Sequence, residues 1–331
     1  MSRPAVVFLD VHDPAVRMAI AAECPPRVEL RMATSADPAD RLRLAKDAAF
    51  FVGGITPIPA SLMDAAPGLR LIQKWGIGVD RIDLGAAETR GIPVAITAGA
   101  NAAPVAEFTL LLMLAVLRRL PHRERQLRAG EWQEARQETR VQARQLRGKL
   151  VGLVGLGAIG REVARRVRGF EAEARYYDLR RAPPADEAAL GVRFQELDAL
   201  LGEADVVSVH VPLTPATRHL LSRERIGRLK PGAIVINTAR GEIVDEAALA
   251  EALDVGTLGG AGIDVFGGEP PPADHPLLRL RSPGLVLAPH LAGSVFDNVA
   301  NVARHVFRNV ERVLDGHPLP PADLVSPGTE D

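Results

Sequence analysis

Short apolar runs alternate with longer amphipathic stretches from the first residues onward. Residues 6–9, 28–31, 49–52, 69–74 and 93–96 read as strands, and the stretches between them carry helix-start signals. Asp37 followed by Pro38 is one, a capping residue with proline in the first helical turn. Strand and helix in strict alternation imply a parallel sheet. A second series of the same kind opens at Lys149 with KLVGLVG and continues through 172–177, 205–211, 233–238, 258–264 and 285–288. Between the series, residues 104–120 look like a long helix. A polar, Arg- and Glu-rich stretch containing Trp132 then forms an arm leading into the second sheet. After the last strand, Val295, Val299, Val302, Val306, Val310 and Val313 recur three or four apart, the spacing of a helix with one buried face.

At 331 residues the chain exceeds a typical domain of roughly 100–200 residues, so two α/β domains are expected. A hydrophobic share of 47%, a charged share of 24% and a net charge of -1 describe an ordinary globular protein and make no electrostatic case for a nucleic-acid partner. The single cysteine, Cys24, has no partner for an internal disulfide, and no metal-ligand pattern surrounds it. The apolar start closes at Asp10, too early for a signal peptide, and the longest apolar run, 108–117, is too short to span a membrane. A cytoplasmic protein with no membrane segment and no metal is expected.

Chemistry enters at GLVGLGAIGREVARRV, where Gly155, Gly157 and Gly160 follow a strand and open a helix. The first glycine permits the tight turn, the second lets backbone approach a pyrophosphate, and the third lets helix pack on strand. Asp178 closes the next strand in ARYYD, where a carboxylate can bind ribose hydroxyls and repel a 2′-phosphate, favouring NAD. Arg180 and Arg181, just beyond, pull toward NADP. Three further segments hold reactive side chains: NTARGEIVDEAAL with Arg240, GIDVFGGEP with Glu269, and APHLAG with His290. They follow strands of a parallel sheet, on the edge where such folds bind ligands, and are expected to converge on the nicotinamide.

These segments, with KWGIGVDRIDL, NAAPVAEFTLLLML and HVPLT, resemble the D-isomer-specific 2-hydroxyacid dehydrogenase family over essentially the whole chain. The resemblance implies a Rossmann-type NAD-binding domain, 99–291, inserted into a flavodoxin-like substrate domain, 1–98 with 292–331, with the active site in the cleft between them. It implies a homodimer paired through the helix and arm at about 101–145. The implied reaction is hydride transfer between NAD and C2 of a small 2-hydroxy or 2-keto acid. His290 would act as acid and base, Glu269 as its carboxylate partner, and Arg240 as the substrate's anchor. Cofactor contacts would come from Gly155, Gly157, Ala158, Ile159, Gly160, Asp178, His210, Val211, Pro212, Thr238, Ala239, Arg240, Asp264 and His290. Substrate contacts would come from Lys74, Gly76, Ile77, Gly78, Arg240 and His290.

The match thins in places. Phosphoglycerate-specific relatives carry arginines where Gly53 and Lys74 stand, and formate dehydrogenases carry Gln where Glu269 stands. Two alternatives stay open, an NAD-sensing corepressor on the same fold in place of an enzyme, and phosphoglycerate dehydrogenase as the specific substrate reading. Trp75 and Trp132 read as core or dimer aromatics, Trp75 beside the carboxylate loop. His12, His122, His219, His275, His305 and His317 read as solvent or packing residues.

Overall fold

The computed structural model describes residues 3–325. Residues 326–331 of the expected C-terminal segment therefore lie outside the described residues, as do residues 1 and 2 of the expected N-terminal one. The chain divides into two units, Met1–Asn101 with Ser294–Asp331, and Ala102–Gly293.

The first unit is built on five strands, β1 (Ala5–Phe8), β2 (Glu29–Met32), β3 (Ala48–Gly53), β4 (Leu71–Lys74) and β5 (Val94–Ala95). All pair in parallel, in the order β2-β1-β3-β4-β5, which is the flavodoxin-like arrangement. Alternate residues point to opposite faces, and both faces are covered. Val6, Phe8, Phe50 and Val52 pack with Val302 and Val306 of the C-terminal helix. Val7, Leu9, Phe51 and Ile72 pack with Leu62 and Met63 on the other side. Burial on both faces is why these strands read as unbroken apolar runs.

The second unit holds β6 (Leu150–Val154), β7 (Glu173–Tyr177), β8 (Val192–Phe194), β9 (Val206–Val209), β10 (Ile234–Asn237), β11 (Gly260–Ile263) and β12 (Leu285–Leu287). Their order, β12-β11-β10-β9-β6-β7-β8, is parallel throughout. The chain starts centrally, moves to one edge, then returns beside its first strand and runs to the other, as in dinucleotide-binding sheets. One face packs Val151, Leu153, Ile234 and Ile236 on Leu112, Met113 and Val116 of the helix Ala102–Arg118. The other packs Val154, Val207, Val209 and Val235 on Leu249 and Leu253.

Some elements differ from the expectation. The long helix ends at Arg118, because Arg119 turns left-handed at φ 51° and Pro121 enters the first turn of a new helix, Leu120–Arg128, where its missing N–H costs nothing. The arm is thus helical, with a second helix at Trp132–Gln142. The strand β8 was not expected. The C-terminal helix, Val299–Leu314, buries Val299, Val302, Val306 and Val310, whereas Val295 precedes it and is exposed. Asp37 does cap its proline-led helix, accepting from the Ala39 N–H at 2.9 Å.

Candidate active site

At the end of β6 the chain turns through Gly155 at φ 104°. A Cβ on Gly155 would lie 2.7 Å from the His210 carbonyl oxygen, and one on Gly160 would lie 2.3 Å from that of Gly155. Only glycine lets the turn, the helix and the end of β9 approach this closely. The helix Ala158–Gly169 starts on Gly157, and no side chain of the described residues caps it. Its first N–H groups and its dipole favour an anion there. Ala158 is exposed and Ile159 half-buried at this opening.

Asp178 follows β7, and its Oδ2 accepts from the Leu156 N–H at 2.8 Å, which ties the carboxylate to the glycine turn. Among the described residues its second oxygen takes only a long 3.4 Å contact from the Arg180 N–H. Arg181 is committed to Glu187 through two contacts at 2.9 and 3.0 Å, and its guanidinium stacks 5.8 Å from the centre of Phe194. Arg180 is exposed, and its side chain meets no such partner among the described residues. His210 follows β9, with its Nε2 2.9 Å from the Ser208 hydroxyl. Burial pushes that imidazole down to about 3, so it is neutral at working pH. Val211 reaches to within 3.0 Å of where a Gly155 Cβ would stand, and Pro212 is exposed. A glycine cradle, an uncapped helix start and a carboxylate at the neighbouring strand end fit a dinucleotide.

After β10, Asn237 clasps its own turn. Its Oδ1 accepts from the Ala239 N–H at 3.0 Å, and its Nδ2 donates to the Arg240 carbonyl at 2.8 Å. The Thr238 hydroxyl meets that of Thr109 at 3.0 Å in the interior. Arg240 leaves this turn half-buried, with Nη1 donating to the Ala239 carbonyl at 2.7 Å.

Asp264, fully buried after β11, organises the segment that carries His290. Its carboxylate accepts from the N–H groups of Leu291 at 2.7 Å and Ala292 at 2.9 Å, and its carbonyl accepts from the His290 N–H at 2.7 Å. Burial pushes its carboxyl up, against the pull of those two N–H groups and of His290. These bonds hold His290 at φ 55°, a region uncommon for a side-chain-bearing residue and one that persists where its surroundings enforce it. The imidazole Nδ1 lies 2.8 Å from Glu269 Oε2, and Glu269 Oε1 accepts from the Phe266 N–H at 3.3 Å. An ionised carboxylate only accepts, so Nδ1 carries the proton. The side chain is 43% exposed, which leaves Nε2 open to a substrate.

The remaining expected residues sit in the first unit. Lys74 ends β4, buried, and its Nζ donates to the Gly54 carbonyl. Gly76 is held by Thr97, whose hydroxyl accepts from its N–H at 3.0 Å and whose N–H donates to its carbonyl at 2.9 Å. Ile77 is exposed and Gly78 half-buried. Trp75 packs edge-on to Phe8 at 5.8 Å and lies 6.1 Å from His12. Sequence reasoning missed Asp10. Its buried carboxylate accepts from the N–H groups of Gly54, Ile55 at 3.1 Å and Thr56 at 2.8 Å, and from the Thr56 hydroxyl at 2.7 Å.

Residues 110–292 match the model of the D-isomer specific 2-hydroxyacid dehydrogenase, NAD binding domain. A glyoxylate reductase of Thermofilum pendens is 42% identical over 265 residues, 80% of this chain and 77% of that one. The chain belongs to the D-isomer specific 2-hydroxyacid dehydrogenase family. Among solved structures, the TT0316 protein from Thermus thermophilus aligns with a TM-score of 0.81 at 36% identity, covering 98% of this chain and 100% of that one. An NAD-dependent formate dehydrogenase from Staphylococcus aureus in complex with NAD aligns at 0.82 and 27% identity, covering 98% and 99%. As a member of this family the chain is an NAD-dependent oxidoreductase acting on the CH–OH group of 2-hydroxy acids. Among the described residues, no group of three or more His, Cys, Asp and Glu is placed to hold a metal ion, and no helix is long and apolar enough to cross a membrane.

Proposed function

We propose that Arg240, Glu269 and His290 perform the reduction of a short 2-keto acid and its reverse. The observation that carries this reading is the 2.8 Å contact between His290 Nδ1 and Glu269, with Nε2 left to work on the substrate. Bound as NADH the cofactor would supply the hydride for the reduction, and as NAD it would take the hydride up in the reverse direction. As the C2 oxygen gains charge, His290 gives it the Nε2 proton, and the Glu269 carboxylate favours the imidazolium needed for that step. The planar fork of Arg240 holds the substrate carboxylate. Gly155, Gly157, Ala158, Ile159 and Gly160 would hold the pyrophosphate, Asp178 the adenosine ribose, and His210, Val211, Pro212, Thr238, Ala239 and Asp264 the remaining length of the dinucleotide. For the first unit we assign Lys74 and the main-chain N–H groups of Gly76, Ile77 and Gly78 to the substrate acid. Residues 99–291 then serve the cofactor, and 1–98 with 292–331 the substrate.

Gly53 and Lys74 in place of two arginines favour an unphosphorylated acid, and the relative named a glyoxylate reductase supports a short one. Glu269 stands against formate, whose oxidation transfers no proton from an oxygen. A homodimer through 101–145 draws support from Leu111, Leu120, Leu127, Trp132 and Val141, all exposed on three successive helices, since large apolar residues in one region mark an interface. A cytoplasmic location accords with the lone, free Cys24.

The deciding experiment is turnover with NADH and a panel of 2-keto acids including glyoxylate, hydroxypyruvate and phosphohydroxypyruvate. Reduction of the short unphosphorylated members is expected. Tight NADH binding with no turnover across the panel would replace this reading with that of an NAD sensor.

A further inference from the structure

The segment that presents Glu269 begins Phe266-Gly267-Gly268, and both glycines are exposed. Two adjacent glycines give a chain wide conformational freedom, yet Glu269 must keep one oxygen 2.8 Å from His290. Something outside the segment has to hold it. Glu246 opens the helix Glu246–Asp254, and its Oε2 accepts the Gly267 N–H at 3.0 Å. The same oxygen lies 3.2 Å from His275 Nε2. His275 Nδ1 accepts from the Leu277 N–H at 3.3 Å, so the ring proton sits on Nε2 and is donated to Glu246. Both side chains are largely buried, 15% exposed for Glu246 and 10% for His275. Glu246 Oε1 is buried with no hydrogen-bond partner among the described residues, a costly arrangement for a carboxylate that serves packing alone.

The His275 ring also meets the Phe266 ring edge-on, at 5.5 Å and 87°. Phe266 is thus held by its ring through His275 and by the following N–H through Glu246. Its own N–H is the donor to Glu269 Oε1 at 3.3 Å. The turn of Arg240 closes on the same peptide, because a Cβ on Gly241 would lie 2.0 Å from the Phe266 carbonyl carbon. The segments bearing Arg240 and Glu269 therefore meet at the Phe266–Gly267 peptide, and Glu246 and His275 pin it.

We propose that Glu246 and His275 are a positioning pair for Glu269, fixing the carboxylate that in turn sets how readily His290 is protonated. This rests on the proton-transfer reading of His290 and Glu269. The ionisable groups around that centre are Asp264 beneath His290, Arg240 across the shared peptide, and Glu242, which lies near Gly267 and pairs with Arg218 at 3.0 Å.

The test compares Glu246→Ala, Glu246→Gln, His275→Ala and Glu269→Gln in the full chain, reading NADH affinity and the pH dependence of kcat/KM for keto-acid reduction. Loosening Glu269 weakens its support of the imidazolium, so Glu246→Ala is expected to move the high-pH limb to lower pH, in the direction of Glu269→Gln. It should lower kcat roughly 10-fold and leave NADH affinity unchanged. Glu246→Gln keeps an oxygen that accepts from Gly267 and His275, and should restore the wild-type profile. His275→Ala should move the limb the same way by less, and provides the test should Glu246→Ala fail to fold. If Glu269→Gln moves the limb but neither Glu246→Ala nor His275→Ala does, the positioning role is overturned and the proton-transfer reading stands. A Glu246→Gln profile matching that of Glu246→Ala also overturns it. An unmoved limb in Glu269→Gln removes the reading on which the inference rests.

Discussion

In the first sheet the strands flanking the chain's reversal, β1 and β3, lead into Asp10 and Gly54; in the second, β6 and β9 lead into Gly155 and His210. The two crevices share a topology, and in such sheets ligands bind there. Yet the Asp10 carboxylate, only 6% exposed, takes up the N–H groups of Gly54, Ile55 and Thr56, so a side chain of the protein occupies the place an anion would take. At the second crevice the helix behind the glycine turn has no side-chain cap among the described residues, and Asp178 takes up one N–H of that turn, that of Leu156 at 2.8 Å. Topology supplies the donors. The residue at the strand end decides whether they serve the fold or a ligand.

The largest effects should come from exchanging the two conditions. Gly160→Ala puts a Cβ 2.3 Å from the Gly155 oxygen and is expected to weaken NADH by about 100-fold or more, near 2.7 kcal/mol, in a fluorescence titration. Asp10→Ala should leave NADH affinity unchanged. It strands buried donors at about 1–3 kcal/mol and should make the first unit melt earlier by calorimetry. Loss of NADH binding in Asp10→Ala would erase the contrast between the crevices.

Asp178→Ala removes the carboxylate that repels a 2′-phosphate, and the ratio of kcat/KM for NADH over NADPH should shrink about 10-fold. Arg181 is engaged by Glu187, so Arg180→Ala rather than Arg181→Ala should lower whatever NADPH activity remains. An unchanged ratio in Asp178→Ala would detach Asp178 from cofactor choice.

A smaller effect concerns acid stability. Burial holds His210 neutral in the folded chain down to about pH 3, whereas an unfolded His takes up a proton below about 6.5. The unfolded state then binds more protons between those values, so stability falls as pH drops through that window. His210→Gln, which keeps a partner for Ser208, should flatten the melting temperature against pH between about 6.5 and 4. An equally steep curve in the variant would assign the loss to other groups.

Most of the fold was legible because parallel strands covered on both faces are unbroken apolar runs, as at residues 6–9 and 49–52. The strand β8 was not, since Val192-Arg193-Phe194 is short and its middle residue is an exposed arginine. Nor was the break at Arg119, although Pro121 was its visible sign. Within the candidate site, Arg240, Glu269, His290 and the glycine turn stand out in the sequence because each lies in a compact motif after a strand. Asp10 and the Glu246–His275 pair do not. Their partners lie 44 to 46 residues away for Asp10 and 21 to 29 away for Glu246, so only the folded chain joins them.

The central claim is that His290 and Glu269 act as one proton-handling unit. Its most direct test is the pH dependence of kcat/KM for keto-acid reduction in Glu269→Gln beside the wild type. Glutamine keeps the shape but loses the charge that favours imidazolium, so the high-pH limb should move to lower pH with NADH affinity intact. A limb that stays in place while activity falls would contradict the account and leave Glu269 without a part in proton transfer.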